Sequence, residues 1–283
     1  MRPAWPTRAV VRVWLLQWLS MGMLRCLRML PLVWGMAVLV GSASAAGPST
    51  ELRRSGFSFM GPAIQAMQRD DAQNPGMLWV QDGEALWNRP AGQSAKSCAS
   101  CHTAARSSMR GVAARYPAID EMSKRPVSLG QRINLCRQNH QAAPALGLES
   151  QELLGIEAYV AHQSRGLPLA PSADPRLEPF VAQGRQLFER RLGQLNLSCA
   201  SCHDRYAGQK LGGSVIPQAH ANGYPIYRLE WQGLGSLQRR LRNCMAGVRA
   251  EPYAYGSAEL VELELYLAER AKGMLVETPA VRP

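Results

Sequence analysis

Read alone, the sequence points to an all-α fold of two tandem helical domains related by internal duplication. Three observations support this. The pentapeptide Cys-Ala-Ser-Cys-His occurs twice, at Cys98–His102 and Cys199–His203, an offset of 101 residues. The surroundings repeat with it. Gly83-Glu-Ala-Leu-Trp87 matches Gly184-Arg-Gln-Leu-Phe188, and Gly92-Gln93 matches Gly193-Gln194. Ser128-Leu129 through Arg132 to Cys136 matches Ser236-Leu237 through Arg240 to Cys244, and Ser150–Ala161 matches Ser257–Ala268. The later offsets drift to 108 and 107, as differing loop lengths produce. Apolar residues in these stretches, such as Leu177, Phe180, Val181, Leu187 and Phe188, recur at helical spacing. Two long copies make a duplicated domain rather than a solenoid.

Residues 1–46 read as a secretory signal peptide. They hold Arg2, Arg8, Arg12, Arg25 and Arg28 and no acid, then the apolar run Met29–Val40, then Gly41-Ser42-Ala43-Ser44-Ala45-Ala46. Basic, apolar and small-residue regions in that order predict export with cleavage near Ala45 or Ala46 and a periplasmic mature chain. The apolar run is short for a membrane span, so no mature membrane anchor is expected. Without these residues the formal net charge falls from +11 to +6, which gives little support for nucleic-acid binding. Residues 47–170 then form the N-terminal domain and residues 171–283 the C-terminal domain, joined by the proline-rich stretch Gly166–Pro175.

C-x-x-C-H is the attachment signature of haem c. Two thiols bond the two vinyl groups of one porphyrin, and the next histidine is held against the iron. Two C-x-x-C pairs also suit zinc, but a histidine directly after both argues for haem. Cys98, Cys101, Cys199 and Cys202 are therefore the expected attachment points of two haem c groups, with His102 and His203 as axial ligands. The Gly-x-x-x-aromatic before each motif and the tyrosine in each last helix resemble the crossing terminal helices of cytochrome c, so each half is expected to be cytochrome c-like. Within the C-terminal copy, Asp174-Pro175 reads as a helix start, with Asp as cap and Pro in the first turn. Ser257 caps the last helix, with Glu259 in its first turn. Its Leu-Val-Glu-Leu-Glu-Leu stretch also alternates like a strand, and the following Ala268-Glu-Arg-Ala favours helix.

Seven cysteines are present, and Cys26 lies in the signal segment. Cys136 and Cys244 remain after the haem thiols. They occupy equivalent positions in the two copies, four residues after Arg132 and Arg240. Met245 and His140, the rival distal ligands, have no such mates. The repeat thus nominates Cys136 and Cys244 as distal iron ligands, giving His/Cys axial ligation, while a Cys136–Cys244 disulfide is the alternative in an oxidising compartment. Arg239, Arg240, Arg242 and Arg249 crowd the second cysteine, which favours a thiolate and an anionic sulfur substrate or an acidic partner. On a helix, Arg240 and Cys244 share a face.

At these residues the chain resembles the SoxA family, dihaem cytochrome c subunits of thiosulfate oxidation. The matching stretches are Gly208–Gly213, Tyr224-Pro-x-Tyr-Arg228, Trp231–Arg240 and Asn243–Pro252. The resemblance implies a heterodimer with a smaller SoxX-like cytochrome c. It implies oxidative conjugation of thiosulfate to a cysteine of a SoxYZ-like carrier protein, the activity of an L-cysteine S-thiosulfotransferase, with electrons passed to haem and on to a downstream acceptor. It further implies that Cys244 is the catalytic cysteine, carried as a persulfide, that Arg240 binds substrate, and that His102 and Cys136 ligate the first haem. Two other readings of the motifs are a dihaem electron-transfer cytochrome and a thiosulfate dehydrogenase forming tetrathionate.

Overall fold

A computed structural model describes residues 53–283, and the expected signal segment, residues 1–46, lies outside the described residues. Ten helices are described: α1 (Pro62–Arg69), α2 (Gly76–Asn88), α3 (Ala99–His102), α4 (Ala105–Ser108), α5 (Leu129–Gln141), α6 (Gln151–His162), α7 (Glu178–Glu189), α8 (Cys199–His203), α9 (Leu237–Gly247) and α10 (Ala258–Arg270). Short ladders accompany them: β1 (Ala118–Ile119) with β2 (Pro126–Val127), β3 (Lys210–Leu211) with β4 (Ser214–Val215), and β5 (Ile226–Arg228) between β6 (Gly233–Gly235) and β7 (Ala280–Arg282). β5 runs antiparallel to β6 and parallel to β7.

The duplication is visible element by element. α2 packs on α6 in the first half, and α7 on α10 in the second. Both pairs cross at a glycine for the same reason. A Cβ on Gly83 would lie 2.0 Å from the Gly155 carbonyl oxygen, and one on Gly184 would lie 2.0 Å from the Glu262 carbonyl oxygen. Only a residue without a side chain permits that approach. The following aromatics fill the crossings, Trp87 at 5.9 Å from Tyr159 and Phe188 at 5.4 Å from Tyr266. Ser128, Ser150, Ser236 and Ser257 cap α5, α6, α9 and α10, each accepting a backbone N–H three residues on. Asp174 caps a single 3-10 turn, Pro175–Leu177, and α7 starts behind it. The alternating stretch after Ser257 is helix, because Leu260, Val261, Leu263, Leu265 and Leu267 are buried around much of α10 between two sets of neighbours.

The β1–β2 and β5–β6 ladders are repeat mates in the same register, Ala118 opposite Val127 and Ile226 opposite Gly235. A cis peptide precedes each, Tyr116-Pro117 and Tyr224-Pro225. The two halves also interlock. Leu234 of β6 is buried in the first-half core beside Val80 and Ile156, and Trp79 meets Tyr227 edge-on at 5.8 Å. Residues 53–75 belong in sequence to the N-terminal segment yet dock on the second half. Arg53 donates to the carbonyls of Arg270 and Lys272, and Asn74 donates to that of Pro279.

A cavity of about 90 Å³ lies between the halves. Repeat mates face each other across it: Tyr116 and Tyr224, Leu129 and Leu237, Glu157 and Glu264. Burial pushes both carboxyls up to about 8, and Glu264 and Glu149 add repulsion at Glu157.

Candidate active site

The two Cys-x-x-Cys-His motifs fold alike. Each forms one short helical turn, α3 and α8, preceded by a serine that exchanges hydrogen bonds with the serine three residues on. Ser97 and Ser100 do so at 3.0–3.1 Å, as do Ser198 and Ser201 at 2.9–3.1 Å. The turn brings both thiols and the histidine of each motif together. Cys199 is half-buried against the second-half core, and burial first, then Cys244, pushes its thiol up to about 11. Cys98 is raised by burial in the same way.

A cavity of about 410 Å³ opens beside α8. His203, Tyr224, Arg228, Leu237, Arg240 and Cys244 are among its lining residues. The His203 Nδ1–H donates to the Pro217 carbonyl at 2.7 Å. That bond fixes the tautomer, leaving the Nε2 lone pair for a metal. Burial pushes the His203 pKa down, which keeps the ring neutral as a ligand requires. The volume, apolar walls and paired thiols with an oriented histidine fit a covalently held haem.

Cys244 and Arg240 share one face of α9, one turn apart, and both reach this cavity. Among the described residues the Arg240 guanidinium has no hydrogen-bond partner. The other arginines named from the sequence do not gather at the thiol. Arg239 lies 4.3 Å over the Trp231 ring. Arg242 donates to the Tyr253 carbonyl and stacks 4.5 Å over Tyr255. Arg249 lies beyond α9, its carbonyl accepting from the Gln194 N–H at 3.3 Å. Helical rotation separates them, since neighbours in sequence point about 100° apart. Arg228 of β5 lines the cavity instead. Sequence reading gave it no role, because only the β5–β6 ladder carries it to the cavity. Met245 is 5 % exposed and packed in the core, so Cys244 rather than Met245 faces the cavity.

In the first half Cys136 lies on α5, within electrostatic reach of Cys98 and Cys101. Burial raises its pKa, and Arg132 opposes the rise. Arg132 is tied down, paired to Asp120 at 3.0 Å and hydrogen-bonded to the Tyr116 hydroxyl. Cys136 and Cys244 each lie beside the motif of their own half and are not joined to one another, which goes against the disulfide alternative. His102 stacks 5.7 Å from Trp87. Among the described residues no helix is long and apolar enough to cross a membrane.

The SoxA/TsdA cytochrome c domain matches the chain twice, over residues 82–169 and 183–276. A cytochrome c domain carries covalently bound haem c. The L-cysteine S-thiosulfotransferase subunit SoxA of Rhodovulum sulfidophilum is 38 % identical over 229 residues, covering 81 % of this chain and 80 % of that protein. The SoxA subunit of Paracoccus pantotrophus is 33 % identical over 228 residues, covering 81 % and 78 %. The crystal structure of SoxXA from P. pantotrophus superposes with a TM-score of 0.79 at 33 % identity, covering 82 % of this chain and 87 % of that one. With its duplicated fold and these matches, the chain belongs to the SoxA family of cytochrome c proteins.

Proposed function

We propose that this chain is the dihaem catalytic subunit of an L-cysteine S-thiosulfotransferase, acting in the periplasm with a SoxX-like cytochrome c. The reaction joins thiosulfate to a cysteine thiol of a SoxYZ-like carrier. The thiol loses its proton, one S–S bond forms between carrier and thiosulfate, and two electrons leave. Haem, when bound, accepts those electrons.

The observation that carries this reading is the meeting of Cys244, Arg240 and His203 at one cavity. Cys244 handles the sulfur, as a thiolate or persulfide nucleophile, and would also help hold the second haem. Arg240 is free to donate paired hydrogen bonds to the sulfonate and so aim the terminal sulfur at the reaction site. Cys199, Cys202 and His203 would hold the second haem. Cys98, Cys101, His102 and Cys136 would hold the first. Tyr224, between the two cavities, walls the reaction site from the interdomain space.

Cys244→Ala tests the assignment. The variant complex is expected to retain two haems by intact mass while losing thiosulfate–carrier conjugation. Haem retention with conjugation at the normal rate would return the chain to a plain electron-transfer role.

A further inference from the structure

The two halves place opposite charges at one equivalent position. Asp120 follows β1 and Arg228 ends β5, and the shared ladder register aligns them residue for residue. Each sits beside the arginine one turn before the repeated cysteine. In the first half the neighbour is an acid, and Asp120 binds Arg132 at 3.0 Å with only 8 % of the Asp120 side chain exposed. Arg132 is thereby neutralised and held, with the Tyr116 hydroxyl as a further partner. In the second half the acid is gone. Arg228 and Arg240 repel one another across the cavity beside Cys244.

Arg228 is held in place by its surroundings. Its Nε–H donates to a terminal main-chain oxygen of Pro283 at 2.9 Å, and its guanidinium lies 5.1 Å from the Trp231 ring centre. Among the described residues its acidic side-chain contact is Glu230 at 3.2 Å, which is 51 % exposed and so screened by solvent. A half-buried pair of like charges is costly unless an anion joins it. One held fork and one free fork at one cavity suit a small tetrahedral oxyanion with several acceptor oxygens.

We infer that Arg228 is a second anion-binding residue of the Cys244 site, closing with Arg240 on the sulfonate oxygens of thiosulfate. The charge at this one position separates a cysteine site that takes a sulfur oxyanion from one that does not. Cys244 has Arg228 and Arg240 at its cavity, beside an Arg282 that is paired with Glu277, and Cys136 has a closed Asp120–Arg132 pair. The inference rests on the function proposed above and names a further residue of the same site.

The test is thiosulfate binding to the haem-loaded heterodimer without carrier, measured by equilibrium dialysis with radiolabelled thiosulfate. Arg228→Ala is expected to weaken binding about tenfold to a hundredfold, the size of one charge-assisted hydrogen bond. Arg228→Lys should fall between the two. Arg228→Asp, which recreates the first-half pair, should weaken binding more than Arg228→Ala. Affinity per haem unchanged in Arg228→Ala and Arg228→Asp overturns the inference, including the case where haem content falls and Arg228 serves only the cofactor. Arg228→Lys keeps the charge and the fold, so an unstable alanine variant still leaves a decisive measurement. The Cys244→Ala conjugation assay separates the two ideas. If that variant is inactive while Arg228→Asp binds normally, only the Arg228 assignment fails.

Discussion

Replacing Glu157 by glutamine should make the protein more stable at alkaline pH and less dependent on pH. Glu157 faces Glu264 across the cavity between the halves, and among the described residues it has no hydrogen-bond partner. Burial moves its carboxyl from 4.5 to about 8, and Glu264 is moved equally far. Between those values the folded chain holds protons that the unfolded chain has released. The free energy of unfolding therefore falls as pH rises from about 4.5 to about 8, and levels off above. One carboxyl moved that far costs the folded state about 4 to 5 kcal/mol once fully ionised. Glutamine matches the protonated acid in shape and has no charge to desolvate. Near pH 5, Glu157→Gln should be about as stable as the parent, and near pH 9 about 3 to 5 kcal/mol more stable. Urea midpoints by far-ultraviolet circular dichroism across that range are the assay, with Glu157→Gln/Glu264→Gln as the limiting case. Titrations common to parent and variant, haem propionates among them, cancel in the difference. Equal pH slopes for parent and double variant would refute the reasoning.

Two further predictions concern the fold. Gly184→Ala puts a methyl 2.0 Å from the Glu262 carbonyl oxygen, so α7 and α10 must separate. A loss of about 1 to 3 kcal/mol is expected in thermal unfolding, with Gly83→Ala giving a similar loss at the matching crossing. Ser236→Ala removes the cap of α9 and the hydroxyl that donates to Glu149. It should cost about 1 to 2 kcal/mol in urea titration. The loss should grow with pH, because Glu149 is already raised by burial and loses its donor.

The all-α duplication and the components of the two haem sites are legible in the chain before any coordinates. Covalent chemistry requires adjacent residues, so Cys98–His102 and Cys199–His203 stand out as motifs. Cap and periodicity rules act over a few residues, so Ser257 and the helix behind it are legible too. The repeat makes Cys136 and Cys244 equivalent. Which arginines matter is settled only by packing in three dimensions. Arg239, Arg240 and Arg242 lie close in sequence, but helical rotation sends only Arg240 to the cavity, with Trp231 and the Tyr253 carbonyl holding the other two. Arg228 reaches Cys244 only through a ladder whose register the sequence does not display. Residues 53–75 dock on the distant second half, and Glu157 meets Glu264 only when the halves close. Local rules reach about one helical turn, whereas charge pairing and burial depend on which distant segments meet.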